Sequence, residues 1–434
     1  MTKNPKKKRL YINIVTITLL ILGTLVAIKF AKGYRPSLEN KTIQGTGLLN
    51  LTSYPKSARV IINDKLTTVT DDKLYLSPSN YKVTIEKDGF YSWTKNLPIK
   101  SELVTNTDAR LFPIIAATSP ITFYQVKNVS LSPDGTKIAY TLNNAPQIPN
   151  NGLYVYSLSN NLLSSNNLQI AENTQNRNFS DSLLIWSPDG SQILTVFSDK
   201  GKITSSHVLS TREKTTGTLT DATIRLPLII SEWQDQYIKI NQPNLTLVPD
   251  YLKEILTNSA TNVYFSPDKE KISYSPTTNL NLPENKIGAL LPNINSTQET
   301  RKLIKDKTYV FDLKEGTNYE LSVASKSAQV QKNIILSVDA TPSASIDSLK
   351  QLKAQTESFY TSNIVWYSNS RQVIIINDSG INIVDYDGQN LVNINPVGPL
   401  YNFAVPNTDG TKLISLTNLN QKPDTFNLIS FDLK

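Results

Sequence analysis

Short apolar stretches recur along most of this chain, and the same polar phrase keeps returning between them. It reads Ser132-Pro133-Asp134-Gly135 after Leu131, Ser187-Pro188-Asp189-Gly190 after Trp186, and Ser266-Pro267-Asp268-Lys269 after Phe265. Weaker echoes are Tyr367-Ser368-Asn369-Ser370 after Trp366 and Asn407-Thr408-Asp409-Gly410 after Pro406. A small polar residue, Pro with its fixed φ, Asp and then Gly match the preferences of a type I turn. Beyond each turn the chain runs apolar or alternates, as in Ile138-Ala139-Tyr140 and Ile193-Leu194. That pattern suits a buried or half-buried strand, so each phrase predicts a hairpin.

A further strand follows most hairpins and ends in an aromatic or acidic residue: Leu153–Leu158, Tyr309–Leu313, Ile381–Tyr386 and Leu428–Leu433. Repetition of one such unit predicts a radial array of blades. Ser-Pro-Asp-Gly followed by Lys-Ile-Ala-Tyr or Gln-Ile-Leu-Thr resembles the WD40-like repeats of TolB-type β-propellers. The resemblance extends over roughly the last three quarters of the chain. It implies about six blades over residues 113–434, with five or seven still open. The stretch from Gly190 to Ser266 is long enough to hold a blade without the phrase. Ile224–Pro249 is the candidate for it. Trp186, Phe265 and Trp366 stand in matching places before their turns, which points to packing between blades.

A second resemblance lies upstream. Pro55-Lys56-Ser57-Ala58, the strand Arg59–Asn63, Leu76-Ser77-Pro78-Ser79-Asn80-Tyr81-Lys82-Val83-Thr84-Ile85 and Gly89-Phe90 resemble the PEGA domain. Ser57 stands where that pattern has Gly, Ser79 replaces the second turn Gly, and Phe90 replaces Tyr. Tyr81, Val83 and Ile85 keep the alternation of a strand. The resemblance implies a small β-sandwich over residues 44–112, with 31–43 as a linker. Trp93 is expected in its core rather than on a binding surface.

Lys3, Lys6, Lys7, Lys8 and Arg9 precede an uncharged run from Leu10 to Ile28. As a helix that run rises about 28 Å, close to the hydrocarbon thickness of a bilayer. Residues 10–30 are therefore expected to be a retained signal anchor, although Ala31-Lys32-Gly33 offers an alternative cleavage point. The basic segment 1–9 then stays in the cytoplasm and the bulk of the chain lies outside a single-pass cytoplasmic membrane. The net charge of +8 invites a nucleic-acid reading, but residues 1–33 carry seven basic and no acidic residues. Subtracting those seven leaves about +1 for the remainder. No nucleic-acid partner is expected without a localised basic stripe.

Chemistry is sparse. The chain has no Cys and one His, which removes thiolate nucleophiles and multi-His metal sites. His207 has no Gly-x-Ser-x-Gly elbow beside it and reads as a strand or loop residue. Asp71-Asp72 reads as a turn between strands. Asp385-Tyr386-Asp387-Gly388 opens like a calcium loop but lacks its further ligands, so it reads as an Asp-Gly turn. Asn50, Asn128, Asn178 and Asn244 begin Asn-x-Ser/Thr triplets that an Asn- and Ser-rich chain produces by chance. No catalytic, cofactor-binding or metal-ligating residue is assigned, and no cofactor.

Loops offer the best candidate surface. Asn143–Gly152, Pro276–Asp306 and Asn418–Thr425 are read as joining third to fourth strands on one face of the blades. Ala324–Glu357 is read as joining successive blades on the other face, with a short helix in Ser345–Thr356 capped by Ser345. The expectation is an all-β, non-enzymatic binding or scaffold protein of the bacterial cell envelope, engaging a protein or polysaccharide through these loops. The alternative is a propeller hydrolase acting on envelope glycans with carboxylates drawn from separate blades.

Overall fold

A computed structural model describes residues 5–37, 42–159, 166–283, 295, 297–324, 345–356, 364–377, 380–395, 403–417 and 426–434. They divide into two compact units, Met1–Leu111 with Pro292–Thr297, and Phe112–Leu291 with Gln298–Lys434.

The first unit opens with helix α1 (Pro5–Ala31), in which Arg9–Ala31 has a mean hydropathy of 2.3 and no part buried. Residues 31–43, expected to be a linker, instead run from the helix end into strand β1 (Tyr34–Ser37), which pairs with β2 (Thr42–Gly45). The reason is local: Gly33 takes φ +89°, a left-handed helix stop, and its carbonyl accepts from Thr46 N at 3.0 Å. The sandwich then follows. Strand β3 (Gly47–Leu51) lies between β7 (Asp72–Leu76) and β10 (Val104–Asn106), and β4 (Ser53–Tyr54) pairs with β11 (Ala109–Arg110). The other sheet has the order β6–β5–β8–β9, with β5 Arg59–Ile62, β6 Lys65–Val69, β8 Ser79–Glu86 and β9 Trp93–Ile99. Leu49, Leu51, Val60, Val83, Ile85 and Leu97 fill the space between the sheets. Trp93 belongs to that core, 4% exposed. Ser57 sits at φ +57°, which explains why Gly suits that place in the PEGA pattern. Asp71, at φ +67°, forms the expected bend between β6 and β7.

In the second unit the phrase makes the same turn five times. The fourth residue donates its N–H to the carbonyl of the first: Gly135 to Ser132, Gly190 to Ser187, Lys269 to Ser266, Ser370 to Tyr367 and Gly410 to Asn407, at 2.8–3.0 Å. All five fourth residues take φ between +61° and +69°. Gly is therefore the natural occupant, and Lys269 and Ser370 bear the left-handed strain of a Cβ. The third residue, Asp or in one turn Asn369, orders each loop from within: Asp134 Oδ1 accepts from Thr136 N at 3.0 Å, Asp189 Oδ1 from Ser191 N at 3.1 Å and Asn369 Oδ1 from Arg371 N at 2.9 Å.

Each turn joins the first two strands of an antiparallel sheet. Blade 1 comprises Val126–Leu131, Lys137–Leu142, Gly152–Ser157 and Asn167–Glu172; blade 2 has only Leu183–Trp186, Gln192–Asp199 and Lys202–Ser210. Blade 3 comprises Ala260–Phe265, Lys271–Pro276, Lys307–Asp312 and Thr317–Ala324. Blade 4 comprises Ile364–Trp366, Gln372–Asn377, Gly380–Asp385 and Val392–Asn395. Blade 5 comprises Ala404–Pro406, Lys412–Thr417 and Asn427–Asp432, and its outer strand is the early segment β12 (Thr118–Pro120). The acidic end of the third strand has a recurring purpose. Asp312 and Asp385 face Lys271 and Gln372, the second-strand residues just past their turns, at 3.7 and 2.8 Å.

Two expectations need correction. Ile224–Pro249 is not a blade: it forms a 3-10 turn and helix α2 (Leu226–Thr246). Its buried residues Leu226, Ile229, Ile230 and Trp233 fall at i, i+3, i+4 and i+7, a helical period whose short apolar runs mimic strands. Five such sheets therefore lie among the described residues. Secondly, Asn143–Gly152 joins the second strand of blade 1 to its third, because the strand before the turn is the innermost and counts as the first. The same connection in blade 3 spans Pro276–Asp306, of which 284–294 and 296 lie outside the described residues. Asn418–Thr425 and most of Ala324–Glu357 lie outside them too.

Helices pack on the sheets of blades 2 and 3. One face of blade 2 packs on blade 1 through Trp186, Ile193 and Leu209. Its other face, with Ile185, Leu194 and Val196, packs on α2 and on Leu349 and Leu352 of helix α4 (Ile346–Thr356). Ser345 caps α4 as expected, its Oγ accepting from Ser348 N at 3.2 Å. Helix α3 (Asp250–Asn258) covers blade 3 with Leu252 and Leu256, and the far face of blade 3 packs on blade 4.

Candidate functional site

The five turns converge. A cavity of about 510 Å³ is lined by Pro133 and Thr136 of blade 1, Pro188 of blade 2, Pro267 and Lys269 of blade 3, Ser368 of blade 4, and Asn407 and Thr408 of blade 5. Equivalent turns of all five sheets thus face one cavity, the arrangement expected at the axis of a propeller. Side-chain and backbone contacts join neighbouring blades around it. Lys137 Nζ donates to Gly190 O at 2.7 Å, Asp268 N to Ser370 Oγ at 3.0 Å, Tyr367 Oη to Gly410 O, and Thr408 N to Leu158 O at 3.1 Å. Between blades 2 and 3 helix α2 supplies the wall, with Tyr237, Ile240, Asn241, Asn244 and Leu245.

The lining is mostly apolar, with Val263, Phe265, Val365 and Trp366 on inner strands and the amides of Asn241, Asn244 and Asn407 among them. That mixture and volume are those of a ligand pocket, with apolar walls and a few orienting polar groups. Lys269 brings its single cation. Burial pushes the pKa of the Lys269 ammonium down, with Asp268 opposing that shift. No carboxylate lies within ion-pair distance of it among the described residues. Burial pushes the Tyr237 phenol up, so it stays a neutral hydrogen-bonding group. Sequence reading noted Asn244 only as the start of an Asn-x-Thr triplet and Tyr237 and Ile240 only within the blade candidate Ile224–Pro249, none of them as site residues. Tyr237, Ile240, Asn241 and Asn244 repeat at i, i+3, i+4 and i+7, which was the available signal.

A second polar cluster lies where blades 3 and 4 meet. Lys271 and Asp312 are nearly buried 3.7 Å apart, and Lys271 Nζ sits 4.9 Å from the Tyr386 ring. Burial, with Asp312 and Asp387 nearby, pushes the Glu315 carboxyl up, and its Oε2 is buried without a hydrogen-bond partner among the described residues. A carboxyl with a raised folded pKa costs stability once ionised, and the cost vanishes below the unfolded pKa of about 4.3. Glu315→Gln is therefore expected to raise Tm by roughly 2 °C at pH 7 and by nothing near pH 4. Thermal melts at the two pH values check this; an unchanged difference would mean a solvated carboxylate.

The remaining sequence candidates fall on structural positions. His207 is a buried strand residue whose Nδ1 lies 2.9 Å from Thr220 O. Gly388 N donates to Asp385 O at 2.8 Å with Gly388 at φ +81°, the expected turn. No group of three or more His, Cys, Asp or Glu able to hold a metal occurs among the described residues. Asn128 Nδ2 donates to the carbonyls of Phe179, Ser180 and Ser182 at 3.0–3.2 Å, and Asn178 caps the turn Phe179–Asp181. The indoles repeat one contact: Trp186 Nε1 donates to Ser130 Oγ at 2.8 Å and Trp366 Nε1 to Tyr264 O at 3.1 Å, each reaching the preceding blade's first strand.

The sandwich strands and their core coincide with a known domain. Residues 46–114 match the PEGA domain. Among solved structures, similarity extends to a TolB from Agrobacterium tumefaciens, at 12% identity and a TM-score of 0.21 over 70% of this chain and 73% of that one. It extends likewise to TolB from Acinetobacter baumannii, at 13% identity and a TM-score of 0.21 over 82% of this chain. The match spans 60% of the Acinetobacter chain. No curated protein matches this sequence.

Proposed function

We propose that this chain is a membrane-tethered binding or scaffold protein of the bacterial cell envelope. The observation that carries the reading is Arg9–Ala31, long and apolar enough to cross a bilayer and wholly unburied, joined to β-units with their own cores. Its basic flank at Lys6–Arg9 favours the cytoplasmic side, which puts the PEGA domain and propeller outside the cytoplasmic membrane. The axial cavity and the turns around it then form the docking end for a protein or polysaccharide partner. Lys269 and the α2 amides orient polar groups there, and Trp366 with Phe265 takes an apolar part.

Photo-crosslinking from position 368 in the full chain on intact cells tests this. Capture of one partner, lost on Tyr237→Ala or Lys269→Glu while whole-cell protease still digests the propeller, is the expected result. A propeller shielded from external protease would overturn the orientation. Capture indifferent to both substitutions would overturn the axial docking site.

A further inference from the structure

Helix α1 does not hand over to a free tether, and the way it is held brings one face of the PEGA sandwich to the helix end. Gly33 O accepts from Thr46 N, the residue before β3, and Lys32 Nζ lies 3.7 Å from Glu102. The Arg35 guanidinium lies 3.8 Å from the Phe30 ring and 4.4 Å from that of Tyr75 on β7, while its Nη1 donates to Phe30 O at 2.7 Å. Phe30 belongs to the helix and Tyr75 to the sandwich, so one side chain clamps the two together.

We propose that the outer face of the sheet β10–β3–β7 rests on the phospholipid headgroup layer of the membrane that α1 crosses. The proposal rests on reading α1 as a membrane span. Leu48 of β3 pairs with Tyr75 of β7 and with Val104 of β10, making one row across the sheet. Tyr75 is 51% exposed and Val104 49%, whereas Leu49, facing the other way, is fully buried. The next row on the same face is Asn50, Lys73 and Asn106, wholly polar and two residues further from Thr46. An apolar row nearest the helix end and a polar row beyond it match the polarity gradient from glycerol backbone to headgroup.

The charges agree. Lys29, Lys32 and Arg35 cluster at this end with Phe30, Tyr34 and Tyr75, the cation and aromatic mixture that favours the interface. Arg35 has no carboxylate within ion-pair distance among the described residues, so its guanidinium edge can take a lipid phosphate oxygen. The predicted occupant is therefore the phosphate-bearing surface itself rather than a protein.

The absence of Cys makes the test clean, because one introduced thiol carries one spin label. The full chain is reconstituted in vesicles of phosphatidylethanolamine and phosphatidylglycerol, labelled in separate variants at Val104→Cys, Asn106→Cys and Leu20→Cys. Collision with an aqueous nickel chelate and with oxygen is then measured. The expected result is nickel access at 104 at least about twofold below that at 106, rising to the 106 value when Tyr75→Ser or Arg35→Gln is added. Equal, fully aqueous access at 104 and 106 would overturn the proposal when the label at 20 is deep in the bilayer. A label at 20 that is itself aqueous would overturn the membrane span instead.

Discussion

Trp186→Ala is expected to cost about 3–5 kcal/mol of unfolding free energy, the range for deleting a large aromatic from a packed core. Trp186 is fully buried, and it packs with Phe179, Leu184, Ile193 and Leu209 where blade 1 meets blade 2. Its indole N–H also donates across that boundary to Ser130 Oγ. Against a total domain stability of about 5–15 kcal/mol, a loss of this size removes much of the margin. Trp186→Phe retains most of the apolar area and loses the hydrogen bond, so its expected cost is nearer 1 kcal/mol. Denaturant melts of both variants measure this, with an unchanged m-value showing that the unfolding unit stays the same. A Trp186→Ala cost below about 1 kcal/mol would mean that the two blades do not share a core there.

The turns were legible because each of their residues has a local reason to be where it is. Pro sets φ, Asp accepts from the backbone two residues on, and Gly takes the positive φ. The fourth place was harder to read where Lys269 and Ser370 occupy the left-handed position that elsewhere belongs to Gly135, Gly190 and Gly410. The PEGA pattern was visible for the converse reason: Ser57 departs from it in identity but keeps its backbone conformation. Both indoles before turns were rightly read as packing between blades, though their shared hydrogen bond to the preceding blade needed coordinates.

What sequence could not supply was long-range placement. Ile229-Ile230 and Ile238 in α2 look like strand fragments when read in short windows, and only the wider period reveals a helix. Helix α4 was expected as a local feature of a loop between blades 3 and 4. Nothing local says that Leu349 and Leu352 pack on Ile185 and Leu194 of blade 2. The axial site shares this property, since every turn that lines it is ordinary alone and only their convergence encloses a volume. The join between α1 and the sandwich depends on Thr46 and Arg35, unremarked in the linear pattern, and on Gly33, read there only as part of a cleavage alternative.

Ring closure is where these placements meet, because β12 comes from the start of the propeller and completes its last blade. Ser119 is the register partner of Ser430, 311 positions away. Ile121 N donates to Leu428 O and Asp432 N to Ala117 O, both at 2.8 Å, which makes 119 and 430 a hydrogen-bonded pair. Cα atoms of such a pair lie about 5.5 Å apart, within the span of a disulfide. Ser119→Cys with Ser430→Cys, in a chain that has no other thiol, is expected to oxidise to an intramolecular crosslink in the folded protein. Linking residues so far apart in sequence should add about 2–5 kcal/mol of stability. The decisive measurement is the non-reducing gel and thiol titration of this double variant under native conditions. A closed ring yields a monomer with no free thiol; two thiols that stay reactive, or crosslinks only between chains, would contradict it.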